Sequence, residues 1–70
     1  MNFSNLKLNK INLLPKTAGV YCFKRGKEIL YIGKAANIRE RAKQHFQQPA
    51  YRDDLFLNQV KKVGFIKTNS

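Results

Sequence analysis

Five side chains in the middle of the sequence have the chemistry needed to act on a phosphodiester. Phosphodiester hydrolysis requires a base near the attacking water and cations near the negative charge that develops. Two tyrosines are candidates to activate the water, but a tyrosine with its ordinary pKa of about 10 is a weak base at neutral pH. A nearby cation favours the phenolate, whereas burial favours the phenol. The set consists of Tyr21, Tyr31, Lys34, Arg41 and His45.

A β-hairpin is predicted to hold the two tyrosines. Two runs of β-branched and aromatic residues, 19–23 and 28–32, flank a short polar segment that contains a glycine, which is typical of a hairpin. If Lys24 faces Glu28, every cross-strand pair matches in character and the two tyrosines lie opposite each other. A shift by one residue would send them to opposite faces. We therefore predict paired tyrosines on one face, with a three-residue loop or a bulge.

An α-helix is predicted to follow the hairpin and to carry the arginine and the histidine. Asn37 is a suitable N-cap, and the residues that follow have helical propensity up to Phe46. Side chains spaced by four lie on one face of a helix. One such stripe is apolar and is expected to face the core, and the adjacent stripe is polar: they are Ile38, Ala42 and Phe46, and Asn37, Arg41 and His45.

The remaining segments complete a small α/β domain of the α+β layout. Residues 1–14 favour a short amphipathic helix or an irregular arm, which Pro15 ends in either case. Residues 51–59 predict a second short helix, and 60–68 a third strand. We expect one domain over 1–70, with a three-stranded antiparallel sheet flanked by short helices.

The charge of the chain predicts a polyanionic partner. Its 70 residues include 14 Lys and Arg against 4 Asp and Glu, a formal net charge of +10. Nucleic acid is the first candidate, with an anionic membrane surface or a mere excess of solubilising charge as alternatives. A single cysteine, Cys22, excludes an internal disulfide and a Cys-rich zinc site. We expect it to be a core residue in a reduced, cytoplasmic protein, since no apolar run approaches the about 20 residues that cross a bilayer.

The residues around the two tyrosines form a paired signature. Gly19-Val20-Tyr21 and Tyr31-Ile32-Gly33 resemble the motifs of the GIY-YIG nucleases, with valine in place of the isoleucine. The longer segment LPKTAGVYCFKRGKEILYIGKAANIRERAKQHF (14–46) is similar to the N-terminal nuclease domain of the UvrC subunit of bacterial excinuclease. That similarity includes the pattern GKA-x-N-x-R-x-R, which begins at Gly33.

The resemblance implies a DNA-repair endonuclease that depends on Mg²⁺ or Mn²⁺. In that family the domain incises double-stranded DNA on the 3′ side of a lesion, in a complex with UvrB and other excinuclease subunits, and no membrane is involved. Two alternatives remain open. One is a stand-alone GIY-YIG endonuclease of the Cho-like or phage type, and the other is a basic DNA-binding module without catalysis.

Roles for individual residues also follow from the resemblance. Tyr21 or Tyr31 would act as the general base or orient the water, Lys34 would support a tyrosine or a phosphate oxygen, and Arg41 would bind the scissile phosphate. His45 stands where many UvrC sequences have tyrosine and other branches have histidine. A glycine after the second tyrosine is expected to let the chain turn out of the strand and a phosphate approach closely. The residues expected to contact the substrate are Gly33, Asn37, Arg39 and Lys43.

The metal ligand of the family is a glutamate on a helix that follows the third strand. None of the four carboxylates of this sequence, Glu28, Glu40, Asp53 and Asp54, has that position. The two aspartates are interpreted as the acidic start of the second helix. We therefore assign no metal ligand within the sequence. We expect it to end before the family's metal-binding helix, so that the 70-residue polypeptide cuts DNA very poorly.

Overall fold

The sheet is assembled from segments that lie far apart in the sequence. The computed structural model describes residues 2–69, and for 51 and 52 the backbone alone. Over this range the strands are β1 (Ser4–Lys7), β2 (Gly19–Arg25), β3 (Glu28–Ala35) and β4 (Lys62–Lys67). Neighbouring strands are antiparallel, in the order β1-β4-β2-β3 across the sheet. The predicted α+β class is confirmed, with four strands in place of three.

The additional strand comes from the N-terminal arm. The sequence favours a helix or an irregular arm over 1–14, but Ser4–Lys7 pairs with β4, and the segment Leu8–Leu13 follows as a 3-10 helix. Only Leu6 of β1 is partly buried, so the strand has no alternating pattern that could reveal it. Its position depends on β4, whose edge offers backbone partners. The strand predicted over 60–68 is confirmed as β4, which lies between β1 and β2.

The hairpin turns more tightly than the sequence pattern suggests. Only Gly26 and Lys27 lie between β2 and β3, and Gly26 has φ of +59°. This left-handed conformation is available to glycine at little cost and suits a two-residue hairpin turn. Arg25 consequently faces Glu28, and the two side chains form an ion pair at 2.6 Å between Nη2 and Oε1.

A β-bulge beyond this turn changes the pairing register of β2 and β3. The register shifts between Phe23 and Lys24, after which Phe23 lies opposite Tyr31 and Tyr21 opposite Gly33. The predicted pairing of Tyr21 with Tyr31 is therefore wrong by two positions, although the predicted bulge is present. A shift by two residues keeps each side chain on its face. The prediction that the tyrosines share a face is confirmed, with ring centroids 6.1 Å apart.

The predicted helix is confirmed as α1 (Ile38–Gln47). Its N-cap is Asn37, whose side chain accepts a hydrogen bond from the backbone N–H of Glu40 at 3.1 Å. The apolar stripe of α1 packs on the sheet, where Ile38 and Ala42 are fully buried. Burial of an isoleucine side chain contributes about 1.5–3 kcal/mol, and this contact fixes the face that α1 turns toward β2.

Two short 3-10 helices connect α1 to β4. They span Tyr51–Leu55 and Leu57–Gln59, where the sequence predicted one helix over 51–59. The backbone N–H of Ala50 donates to Oδ2 of Asp53 at 2.9 Å, which fixes the first turn. In residues 2–69, no helix has the length and the apolar character needed to span a membrane.

Cys22 is buried on the face of the sheet that points away from α1. The thiol is free and buried, as predicted, and its cross-strand neighbour is Gly64. A Cβ at position 64 would lie 2.7 Å from Sγ, so glycine provides the space that the sulfur occupies. Burial raises the pKa of the Cys22 thiol, which keeps it protonated and unreactive.

Candidate active site

β2 brings a tyrosine hydroxyl against a buried imidazole of α1. Tyr21 is 0% exposed and His45 is 4% exposed. Oη of Tyr21 lies 2.7 Å from Nε2 of His45, and the ring centroids are 5.7 Å apart. Buried polar groups require a hydrogen-bond partner, and here each group provides it for the other. The two residues grouped by the sequence resemblance are therefore in direct contact.

The second ring nitrogen of His45 faces a carboxylate. Nδ1 lies 3.1 Å from Oδ2 of Asp53, and the same oxygen accepts the N–H of Ala50. The contact with Nδ1 lacks the alignment of a hydrogen bond, so the attraction is mainly electrostatic. Asp53 lies in the first turn of its short helix, as predicted. It is also 6% exposed and completes a row of buried groups from Tyr21 through His45.

An open cleft of about 290 Å³ lies in front of this row. The ring of Tyr31 forms part of its wall, stacked on Phe56 with centroids 5.4 Å apart and edge-on to His45 at 4.9 Å. Arg41 is exposed and lines the same cleft, where its Nη1 donates to Oε1 of Gln44 at 3.2 Å. A ligand that enters the cleft therefore meets a phenol and a guanidinium, with Tyr21 behind them.

The electrostatics of the site keep Tyr21 in its phenol form. Burial raises the pKa of Tyr21 well above its ordinary value of 10.0, the adjacent Tyr31 hydroxyl raises it further, and the charge of Arg41 only partly opposes them. Tyr21 is therefore protonated at neutral pH and can serve as a hydrogen-bond donor. Of the two opposing effects expected from the sequence, the charge of Arg41 does favour the phenolate of Tyr21, but desolvation is the larger effect on its pKa.

The pKa of Asp53 is shifted in the opposite direction to that of Tyr21. Burial by itself raises its pKa, but the N–H of Ala50, the contact with His45 and the charge of Arg41 together lower it from the ordinary value of 3.8. The carboxylate is therefore ionised at neutral pH, and it brings a negative charge to the inner end of the row. Arg41 affects both ends, since its charge acts on Tyr21 and on Asp53.

A glycine in β3 makes room for the tyrosine hydroxyl. A Cβ at Gly33 would lie 2.9 Å from Oη of Tyr21 and 3.0 Å from Cε2 of Tyr31. The prediction that this glycine lets the chain turn out of the strand is wrong, because β3 continues to Ala35. Gly33 leaves space beside the two phenol rings, and a larger residue at this position would displace the rings.

The remaining predicted residues lie outside the cleft. Asn37 caps α1. Nε of Arg39 donates to the carbonyl oxygen of Leu14 at 2.7 Å, and together with Lys43 this residue lines a second depression of about 400 Å³. Lys34 is exposed and lines a third depression near the end of β3. The structure thus brings the other five together and leaves these four apart, and their contact with a substrate stays a prediction.

The sequence analysis did not assign several residues of the cleft to the site, among them three that contact predicted site residues. Gln44 lies three residues after Arg41, a helical spacing that brings side chains into contact, so it could have been found. Phe56 is an aromatic residue in a polar stretch, which is a weak signal of burial. Asp53 had no signal, because the segment that carries it has no periodic relation to α1.

The carboxylates of the described residues do not fit a metal site. Within residues 2–69, no group of three or more His, Cys, Asp and Glu side chains could hold a metal ion. Glu28 is paired with Arg25, and Asp53 is engaged by Ala50 and His45. Mg²⁺ requires converging oxygen ligands, usually with one or two carboxylates. These side chains do not converge in that way.

The site thus consists of a hairpin that carries two phenols, followed by a helix that carries an arginine and a histidine, and its similarity to known proteins lies in the GIY-YIG class of domains. Residues 17–70 match the profile of the UvrC-like GIY-YIG domain. The fold is similar to the crystal structure of the GIY-YIG N-terminal endonuclease domain of UvrC from Thermotoga maritima, bound to its catalytic divalent cation, magnesium. The TM-score is 0.73 at 27% sequence identity, over 86% of this chain and 67% of that one.

Sequence relatives agree with this similarity. Over 99% of the length of this chain, the sequence is 39% identical to UvrABC system protein C of Borreliella burgdorferi. Over 100% of the length of this chain, it is 43% identical to the Mycoplasmoides gallisepticum protein of that name. The chain therefore belongs to the UvrC-like GIY-YIG domain family. It spans 12% of the length of those two relatives.

Proposed function

We propose that the chain is the nuclease module of a DNA excision-repair protein and hydrolyses a phosphodiester of double-stranded DNA. The observation that supports this most directly is the cleft in which Tyr31 and Arg41 are accessible, with the Tyr21–His45 hydrogen bond directly behind them. A guanidinium is suited to bind phosphate oxygens and the charge that develops on them. The net charge of +10 favours a polyanionic substrate.

The two tyrosines have different roles in this proposal because their exposure differs. Tyr31 and Arg41 line the same cleft, so a phosphate bound by Arg41 would bring the attacking water to the Tyr31 side. Tyr21 is fully buried, and its ring lies beside that of Tyr31 with the centroids 6.1 Å apart. Tyr31 therefore orients the attacking water, and Tyr21 connects Tyr31 to His45. The sequence left open which tyrosine contacts the water, and the complete burial of Tyr21 supports Tyr31 for this role.

Proton transfer follows the same row of groups. As the water oxygen bonds to phosphorus, the bond from phosphorus to the leaving sugar oxygen breaks, and that oxygen takes a proton from solvent. The water gives a proton to the Tyr31 oxygen, Tyr31 gives its own to Tyr21, and Tyr21 gives its own to Nε2 of His45. General base catalysis of this kind contributes about 10²–10⁴-fold. Asp53 stabilises the imidazolium that forms.

A divalent cation belongs to the proposal, although the described carboxylates do not hold one. The Thermotoga maritima domain is bound to magnesium, and we propose that this chain requires Mg²⁺ or Mn²⁺ with ligands from outside residues 2–69. It follows that the 70-residue chain cuts DNA very poorly by itself. Lys16, Arg39 and Lys43, which line the second depression, would contact phosphates that flank the cleft.

Biological context is part of the same proposal. By analogy with its relatives, which are named as components of the UvrABC system, the chain would act on the 3′ side of a lesion together with UvrB and other excinuclease subunits. A cytoplasmic location is proposed for the same reason, and the free, buried Cys22 is compatible with it. Recognition of the lesion would then depend on the partners.

The test measures incision of a lesion-bearing duplex in Mg²⁺ by two proteins. The first is the 70-residue chain. The second is this chain extended at its C-terminus by the segment that follows the matched region in the Thermotoga maritima domain. We expect cleavage by the extended protein, and its loss when the carboxylates of the added segment are changed to amides. Tyr31→Phe and Arg41→Ala in the extended protein are expected to abolish cleavage, whereas Lys27→Gln in the hairpin turn is the matched surface control.

A non-catalytic DNA-binding module is the second candidate, and the lack of a metal site among the described residues is the observation that favours it. In that case the extended protein would bind duplex DNA with the salt dependence of phosphate contacts and would leave it uncut. Binding without cleavage at any Mg²⁺ or Mn²⁺ concentration would therefore replace the nuclease proposal.

A further inference from the structure

The contact between Asp53 and His45 determines where the imidazole carries its proton. We propose that Asp53 is a positioning residue that holds His45 in the Nδ1–H tautomer, so that Nε2 accepts a hydrogen bond from the Tyr21 hydroxyl. The consequence for catalysis rests on the proposed function, whereas the tautomer itself does not. From the sequence, Asp53 is only an acidic residue at a helix start, and the structure adds its contact with His45.

The orientation of the carboxylate is fixed from both sides. Oδ2 of Asp53 accepts the backbone N–H of Ala50 at 2.9 Å and lies 3.1 Å from Nδ1 of His45. Asp53 is 6% exposed and His45 is 4% exposed, so little water can replace either contact. An ionised carboxylate only accepts hydrogen bonds. The nitrogen beside it must therefore carry the hydrogen.

The opposite tautomer places two lone pairs against each other. With the hydrogen on Nε2, the bare Nδ1 of His45 would face the Asp53 oxygen at 3.1 Å, a repulsive contact between buried acceptors. With the hydrogen on Nδ1, both ring nitrogens have complementary partners, since Nε2 lies 2.7 Å from the Tyr21 hydroxyl. A single arrangement of hydrogens thus places unlike charges together at both ring nitrogens of His45.

This arrangement gives the row a direction. Tyr21 uses its hydrogen to donate to His45, which leaves its oxygen lone pairs only as acceptors. Asp53 touches neither water nor phosphate in this scheme and acts only through His45. The relation is that of the aspartate to the histidine in a serine protease, where the carboxylate selects the tautomer and stabilises the imidazolium.

The tautomer can be read directly, because His45 is the sole histidine of the sequence. We suggest long-range ¹H–¹⁵N correlation spectra of the uniformly ¹⁵N-labelled chain at about pH 8, because these spectra distinguish the two neutral tautomers from each other and from the imidazolium. The expected spectrum is that of the Nδ1–H tautomer. Asp53→Ala removes the acceptor and should give a mixture of both tautomers. Asp53→Asn keeps one carbonyl oxygen and should retain Nδ1–H, and Asp54→Ala is the matched control at an exposed neighbour.

Two results would overturn the inference. One is an Nε2–H tautomer in the unmodified chain, which remains decisive even if Asp53→Ala does not fold. The other is an Nδ1–H tautomer that persists in a folded Asp53→Ala chain, because the carboxylate would then not select it. The spectra do not depend on cleavage. A chain that shows the expected tautomer while its extended form fails to cut DNA would overturn the nuclease proposal alone.

Discussion

Replacing Tyr21 by phenylalanine removes one buried hydrogen bond and little else. The phenyl ring fills the same space, so no cavity forms, and the contact that is lost is the 2.7 Å hydrogen bond to Nε2 of His45. Both residues are buried, so water cannot restore the missing partner. An unpaired buried acceptor costs about 1–3 kcal/mol. We expect the free energy of unfolding of Tyr21→Phe to fall by that amount.

The loss is large for a chain of 70 residues. Stabilities of about 0.05–0.15 kcal/mol per residue give a total of about 4–10 kcal/mol. Since 1 kcal/mol shifts the Tm of a small domain by about 4–8 °C, the Tm should fall by about 5–20 °C. Urea unfolding followed by circular dichroism measures the free energy, and a thermal scan measures the Tm. Tyr31→Phe is the matched control, because a hydroxyl at the cleft can exchange its partner for water, and its expected cost is about 1 kcal/mol or less.

The effect of Tyr21→Phe on the free energy of unfolding should change when His45 is absent. In a His45→Leu chain the Tyr21 hydroxyl is itself the unpaired group, so Tyr21→Phe should be neutral or stabilising. The difference between the two backgrounds is the coupling energy of the pair. The hydrogen bond is refuted if Tyr21→Phe has the same effect in both backgrounds, or if it costs no more than Tyr31→Phe in the unmodified chain.

The raised pKa of Tyr21 extends this test to alkaline pH. The unfolded phenol ionises near pH 10, whereas the folded one stays protonated, so above about pH 10 the unfolded state binds fewer protons. The stability of the chain should therefore decrease as the pH rises through this range. Tyr21→Phe should lose that part of the decrease, as measured by urea midpoints between about pH 9 and 11. Equal slopes for both chains would contradict the buried phenol.

Three further predictions concern the space, the charge and the substrate contacts of the site. Gly33→Ala places a Cβ 2.9 Å from Oη of Tyr21, so it should lower the free energy of unfolding by about 1–3 kcal/mol and abolish cleavage by the extended protein. Gly64→Ala, on the other face of the sheet, is the control, and it should destabilise the chain similarly without loss of cleavage. Because the pKa of Asp53 is lowered, its stabilisation is complete above about pH 4 and is lost at lower pH, so Asp53→Asn should flatten the fall in urea midpoint below that pH. Arg41→Ala should reduce the slope of log affinity against log salt by about 0.9, measured by fluorescence anisotropy with duplex DNA, and an unchanged slope would place the phosphate elsewhere.

Local chemistry made the hairpin and α1 predictable, but not the exact pairing of the strands. The alternation of apolar residues specifies which face each side chain occupies, and it placed Tyr21 and Tyr31 together correctly. It does not distinguish registers that differ by two residues, because these have the same faces. The turn conformation of Gly26, with φ of +59°, and the bulge beyond it decide between them. Neither leaves a clear trace in the pattern.

Contacts between distant segments were the part that the sequence could not reveal. β1 has one partly buried side chain, Leu6, and exists because β4 offers it an edge. Asp53 looks like any acidic residue at a helix start until the backbone brings it under α1. Tyr21, Tyr31, Arg41 and His45, in contrast, lie in a local stretch whose motif spacing is read directly. The predictable part of the site is therefore the part that is contiguous in sequence.

The placement of β4 between β1 and β2 has a consequence for synthesis on the ribosome. Of these four strands, the inner strand β4 is the last to be translated, so β1 emerges long before the strand that it pairs with. At about 5–20 residues per second, the nascent β2–β3 hairpin waits on the order of seconds for β4, and until then the edge of β2 is unpaired as well as that of β3. During that interval the polypeptide is open to association with other chains through either edge.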